Sequence, residues 1–263
     1  MVNGKMVIFL CNDEIEDIFT AIYYAWCEGT SHTDVRIVNS CMNYSMFEEY
    51  RHVCPDDNLS DKVSRSIINK LSYEVYLHVL KVLLSDYDDK ASCVYSFLQK
   101  AFKRGKYAIN NLQDDNILKF NKVSKNFSNE AHWYIEIIRF SENDDGLLIS
   151  KIEPRNNILS FVSEHFADRL RCENWLIYDV GRRMASIHQS HGNYVIFHDV
   201  NVEVINELLE LTDKEEQYRK LWQTFFDNIS IKERANPSLQ RNKVPLKYRK
   251  YMTENFNHGS KEI

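Results

Sequence analysis

Four residues in the middle of the chain have the chemistry of a reaction centre. His165 and Asp168 stand three apart in SEHFADRL, with Arg169 next. On a helix that spacing sets His165 beside both Asp168 and Arg169. A carboxylate next to an imidazole fixes its tautomer and raises its basicity, as a general base requires. Glu153 and Asp179 flank the segment. The candidate catalytic set is therefore Glu153, His165, Asp168 and Asp179. No serine or cysteine nucleophile is fixed nearby by spacing, although Cys172 is close in sequence. The same letters also fit the polar end of a helix. Asp168 and Arg169 would then pair with backbone or with Asp179, and His165 would sit inside. Catalytic groups are recognised by geometry rather than by neighbouring letters, so both readings stand.

A second group is His188, His191 and His198 with Asp199, around His191-Gly192-Asn193, where a turn is expected. Imidazoles and a carboxylate converging across a hairpin can bind zinc or iron. This spacing matches no ligand motif, and no metal is expected. The six cysteines, at 11, 27, 41, 54, 93 and 172, form no C-x-x-C pair. They suit buried thiols in a reducing compartment and cannot hold an iron–sulfur cluster. No cofactor is expected.

The third feature is charge. The chain carries a formal −5, which excludes a whole-chain nucleic-acid footprint. Residues 231–250 nevertheless hold seven basic residues against Glu233 alone, a net of +6. Arg234, Arg241, Lys243, Lys247 and Arg249 can meet phosphates, Asn236 and Gln240 can bond phosphate or base edges, and Tyr248 can stack. Arg182 and Arg183 could extend that surface. A solvated arm lying on the acidic N-terminal part, or one docking an acidic partner, is the alternative. Leu221, Trp222, Phe225 and Phe226 recur at helical spacing opposite a polar face, which reads as core rather than a stacking platform.

The elements that must position these residues follow from periodicity. MVIFLC (6–11) reads as a buried strand. A helix capped by Asn12 or Asp13 and ending at Gly29 follows, then a strand at VRIVNS (35–40). That β-α-β opening could be parallel, and it lacks a glycine-rich phosphate turn. Helices are expected over 59–85, 88–108 and 114–127. Beyond them, Asp-Asp-Gly between WYIEIIRF and LLISKIEP signals a hairpin. A helix over NNILSFVSEHFADRL, strands at NWLIYDV, MASIHQ and NYVIFHDV, and a helix over TDKEEQYRKLWQTFFDNISI complete the chain. The class is α+β: a small N-terminal β-α-β unit (1–57), then an α+β domain (58–263) of central helices and antiparallel hairpins packed with helices, ending in the basic segment. Seven glycines and four prolines argue against disorder, and no apolar run reaches the ~20 residues of a membrane span. The start does not read as a signal peptide, so a cytoplasmic protein with no membrane partner is expected.

The segments DGLLISKIEP, HFADRL, WLIYDV, LWQTFFDNISIKERANPSLQ and VPLKYRKYM resemble a bacterial family of DNA-repair or DNA-metabolism proteins whose central domain has no assigned function. The opening VIFLCNDEIEDIFTAIYYAW resembles the family's start, without the glycines usual there. The resemblance implies a neighbouring radical S-adenosylmethionine (SAM) protein as partner and DNA as ligand. Some relatives carry an added uracil-DNA-glycosylase-like domain, for which the residues after 251 are too few; glycosylase chemistry is not expected. The leading expectation is an accessory protein of DNA repair or modification that binds nucleic acid through its basic C-terminal surface. A stand-alone enzyme on a nucleotide or DNA lesion, using the 153/165/168/179 group, and a protein-binding adaptor are the alternatives.

Overall fold

The computed structural model describes residues 6–28, 33–37, 45–208, 213–229, 236, 238–239, 245 and 248–252. It is α+β, with two sheets and eight helices among the described residues. The chain divides into two compact units, Met1–Ser128 and Asn129–Ile263. The boundary expected at 57/58 lies inside the first unit, because the helices on both sides of it share one apolar core.

In the first unit, strand β1 (Met6–Cys11) is buried on both faces, as its unbroken apolar run requires of a central parallel strand. Helix α1 (Ile15–Cys27) leads to β2 (Thr33–Ile37), which pairs parallel with β1. A third strand, β3 (Glu48–His52), pairs parallel on the other side, giving the order β2-β1-β3. Its sequence, EEYRH, carries no apolar alternation, so periodicity does not reveal it. Charge suits a strand at a sheet edge.

The expected helix 59–85 is two helices, α2 (Asp57–Lys70) and α3 (Tyr73–Leu83). Ser72 divides them: its side chain accepts from Val75 N at 3.1 Å and caps the new helix. Asp56 likewise caps α2 through Asn58 N and Leu59 N. Helix α4 (Lys90–Arg104) ends at Gly105, whose φ of +79° favours glycine. Helix α5 (Asp115–Ile137) runs ten residues past its expected end and absorbs what reads as the first arm of the Asp-Asp-Gly hairpin. Phe97 of α4 stacks on Phe120 of α5 at 3.8 Å, both fully buried.

The second unit holds a five-stranded sheet in the order β4-β5-β6-β7-β8. Strand β4 (Ser141–Glu142) and β5 (Leu148–Ile152) are antiparallel, with Gly146 at positive φ in the turn between them. The hairpin is real but short. Helix α6 (Leu159–Arg169) then carries the chain to β6 (Trp175–Asp179), which pairs parallel with β5. The expected row of antiparallel hairpins therefore contains one parallel crossover. Strands β7 (Met184–His188) and β8 (Tyr194–Phe197) follow, each antiparallel to its predecessor.

Cross-strand partners share a sheet face. Trp175, His188 and Tyr194 therefore lie together, and Tyr194 donates to Ser160 O of α6, which covers that face. On the opposite face, Ile149, Leu176, Tyr178 and Ala185 pack on Ile205 of α7 (Val202–Leu208).

The last described helix, α8 (Asp213–Ile229), forms as expected, but its apolar residues are not core. Leu221, Trp222 and Phe225 are 65%, 43% and 51% exposed. Helical spacing establishes an apolar stripe and says nothing of what covers it. The side chain of Phe226 lies outside the described residues. Among the described residues, no helix is long and apolar enough to cross a membrane.

Candidate functional site

The parallel pair β5–β6 ends in two loops, 153–156 and 180–183, and the polar chemistry of the second unit gathers there. Asp179, the last residue of β6, is fully buried. Its Oδ1 accepts from Gly181 N (3.0 Å) and Arg182 N (3.2 Å), and its Oδ2 from Arg182 Nη1 (3.2 Å). Burial pushes this carboxyl above its ordinary value, with Arg182 opposing. The turn it organises leads into Arg183, a non-glycine residue at φ 54°. Arg182 also donates to Pro154 O at 3.1 Å and to Arg155 O, so one guanidinium ties the two loops together.

The second buried acid is Glu130 of α5, 2% exposed. Its carboxylate receives Arg155 N (3.1 Å), Asn156 N (2.8 Å), the Asn156 side-chain amide and Tyr248 Oη (2.9 Å). Tyr248 is 6% exposed, and its ring packs on Trp133 and Tyr134. Burial holds the Tyr134 phenol well above the usual tyrosine range. Beside this anchor, Lys250 and Tyr251 both donate to Glu153. The end of the basic segment is thereby fixed to the loop after β5.

These bonds decide what the acids can do. Four donors occupy Glu130 and three occupy Asp179, which is the environment of a structural carboxylate rather than a free proton acceptor. Burying such a charge is tolerable only with this degree of pairing. The hollow beside them, between Ile152, Lys151, Tyr134 and Tyr248, has a volume of about 10 Å³. That is room for one water molecule at most.

The sequence-based candidates separate accordingly. Glu153 and Asp179 belong to the loop cluster, each with a cationic partner, Lys250 and Arg182. His165 and Asp168 do not join them: neither forms a hydrogen bond or ion pair with Glu153, Asp179 or the other among the described residues. His165 stands edge-on to Phe166, with its buried Nε2 unpartnered among the described residues. Asp168 and Arg169 are exposed. His188 is buried, stacked on Trp175 at 5.0 Å, and its Nδ1 lies 2.9 Å from Glu173 O. His191, His198 and Asp199 are exposed. Among the described residues, no group of three or more His, Cys, Asp or Glu is placed to hold a metal ion.

Of the expected nucleic-acid contacts, Arg183 is exposed, Arg249 is half-buried and Arg182 is committed to the loops. Tyr248 is buried by its anchor and offers no face for stacking. Asn236 is exposed and its side chain accepts from Leu239 N at 2.9 Å. Arg234, Gln240, Arg241, Lys243 and Lys247 lie outside the described residues.

The residue that sequence reading missed is Glu130. Its signal is positional: it falls in the helical stripe of Phe127, Ala131, Tyr134 and Ile137, all buried. An acid in an apolar stripe needs buried donors, and here they come from loops 25 and more residues away.

No curated protein matches the chain. The sequence profile of a domain of unknown function, DUF4130, matches residues 88–254, from the start of α4 through the anchored C-terminal segment. The chain belongs to the DUF4130 family.

Proposed function

We propose that the protein is an accessory factor of DNA repair or modification that binds nucleic acid through its basic C-terminal segment and acts beside a radical SAM enzyme. The observation that carries this reading is the net +6 of residues 231–250 in a chain of −5, ending at the Tyr248 anchor. Through that anchor the segment meets the loop of Arg155, which Arg182 bonds in turn. Exposed Arg155 and Arg183 add to the positive rim. Glu130 and Asp179 are buried beneath it and hold the loops that carry the cations. The pairing with a radical enzyme rests on the family resemblance of the sequence.

A stand-alone enzyme has less support. Its four candidate residues do not form one hydrogen-bonded group, and the buried acid among them is saturated with donors. A protein-binding adaptor is favoured by one observation, the exposed Leu221, Trp222 and Phe225 of α8.

The test is binding of labelled single-stranded and duplex DNA, followed by fluorescence anisotropy across salt concentrations. Phosphate contacts make affinity fall steeply with salt, the slope rising by roughly 0.7–0.9 per phosphate neutralised. Joint reversal of Arg241, Lys243 and Lys247 to Glu should weaken binding at low salt by tenfold or more and flatten that slope. A flat salt response, or an unchanged triple variant, overturns the nucleic-acid reading. Co-purification with the radical enzyme in the absence of DNA binding leaves the adaptor.

A further inference from the structure

The first unit contains a cleft of about 200 Å³ between α1, α2 and α4. Its floor is apolar: Ile22, Val63 and Leu98 come from the core, with Phe102 beside them. Aromatic rings form its walls. Trp26, 45% exposed, meets Phe102 edge-on at 4.9 Å, and Tyr23 stands across the turn of the same helix.

The rim carries charge of one sign. Lys62 and Lys70, both from α2, line the cleft, and no acidic residue does. The Lys62 ammonium lies 5.7 Å from the Tyr23 ring centre and that of Lys70 5.9 Å from Phe102. Neither lysine has a carboxylate partner among the described residues. Several other cations of the unit do find one: Arg36 with Glu48, Lys90 with Asp13, Lys100 with Asp114. Two ammonium groups held over aromatic faces, without an acid between them, keep their capacity to bond an anion.

We infer that this cleft is a binding site for a small planar apolar molecule bearing one anionic group, a carboxylate or a phosphate. Size sets the body. A dry protein cavity of about 150 Å³ takes a benzene ring, so this space suits one or two fused rings. An apolar lining with a few polar groups at its edge is the usual composition of a small-molecule site. The ring system would lie against Ile22, Leu98 and Trp26, with the anion at the rim that Lys62 and Lys70 make positive. Ser66, on the same face of α2, offers a hydroxyl to it.

The full-length protein should be titrated with 1-naphthoate, 1-naphthyl phosphate and the cationic 1-naphthylmethylamine, followed by calorimetry and tryptophan fluorescence. Expected is saturable one-to-one binding of the anions, at least tenfold tighter than the amine. The order of the two anions identifies the headgroup and supports the site either way. Lys62→Gln and Lys70→Gln, both exposed and safe for folding, should each weaken the anions by about threefold to tenfold and leave the amine unchanged. Ser66→Phe, which fills the cleft, should abolish binding. The inference is overturned if no anion saturates, if the amine binds as tightly, or if both lysine variants bind like the wild type.

Discussion

In the first unit, distant segments are joined by apolar surface. Phe97 lies flat on Phe120, and Phe19, Ile67, Val79 and Leu98 are wholly buried in the same core. Its buried acids, Asp17 and Asp34, bond Asn12 and Arg36 close by in sequence, and the buried Lys90 pairs with an exposed Asp13. In the second unit the comparable joints are made by carboxylates. Glu130 reaches loop 155–156 and, 118 residues away, Tyr248; Asp179 and Arg182 clasp the loops after β5 and β6. The two solutions differ in kind. An apolar joint resists loss of volume and accepts other shapes of equal size. A buried carboxylate requires named donors in fixed directions, and losing one strands the rest. The second kind selects which loop and which tail segment dock, and the basic run is attached through it.

Four measurements would break or sharpen that contrast. The largest effect is expected from Phe97→Ala, which empties one half of the stack and should cost about 3–5 kcal/mol in chemical denaturation; Phe97→Leu should recover much of it. A loss below ~1 kcal/mol would mean the apolar joint is not the fastening of the first unit. Next is Glu130→Gln. Its amide nitrogen would face donors where an oxygen now accepts, costing about 2–3 kcal/mol, with residues 245–252 becoming sensitive to trypsin. An unchanged digestion pattern would remove Glu130 from its anchoring role. Tyr248→Phe deletes one of the four donors and keeps the ring, so about 1 kcal/mol is expected, with tail cleavage between wild type and Glu130→Gln.

The smallest effect is a slope. Burial raises the folded-state value of Asp179 above the ordinary 3.8. The folded protein therefore holds that proton more tightly than the unfolded chain does. Its contribution to stability is greatest at low pH and declines as pH rises from the ordinary value through the raised one. Asp179→Asn removes this dependence. Its stability should gain on the wild type as pH climbs above the ordinary 3.8, read as a shift in denaturation midpoint. A gap moving the other way would show that Arg182 outweighs burial.

Much of the local structure follows from the sequence by itself. The unbroken run of β1, the stripe of α1, the turn before β5, the segment SEHFADRL as a helix and the three strands after it are each specified by nearest neighbours. The contrast between a net −5 chain and a +6 segment is likewise a property of composition. Three things only the tertiary structure decided. Strand β3 exists because β1 offers it an open edge, since EEYRH has no pattern of its own. The stripe of α8 remains exposed because amphipathicity defines a face without supplying its cover. Among the polar residues, the spacing of His165 and Asp168 suggested a site, yet the joined acids are Glu130 with Asn156 and Tyr248, and Asp179 with Arg182. Those pairings depend on where two parallel strands end and which loops their crossover brings together. Hydrogen bonding at about 3 Å is set by that arrangement, and linear spacing carries no record of it.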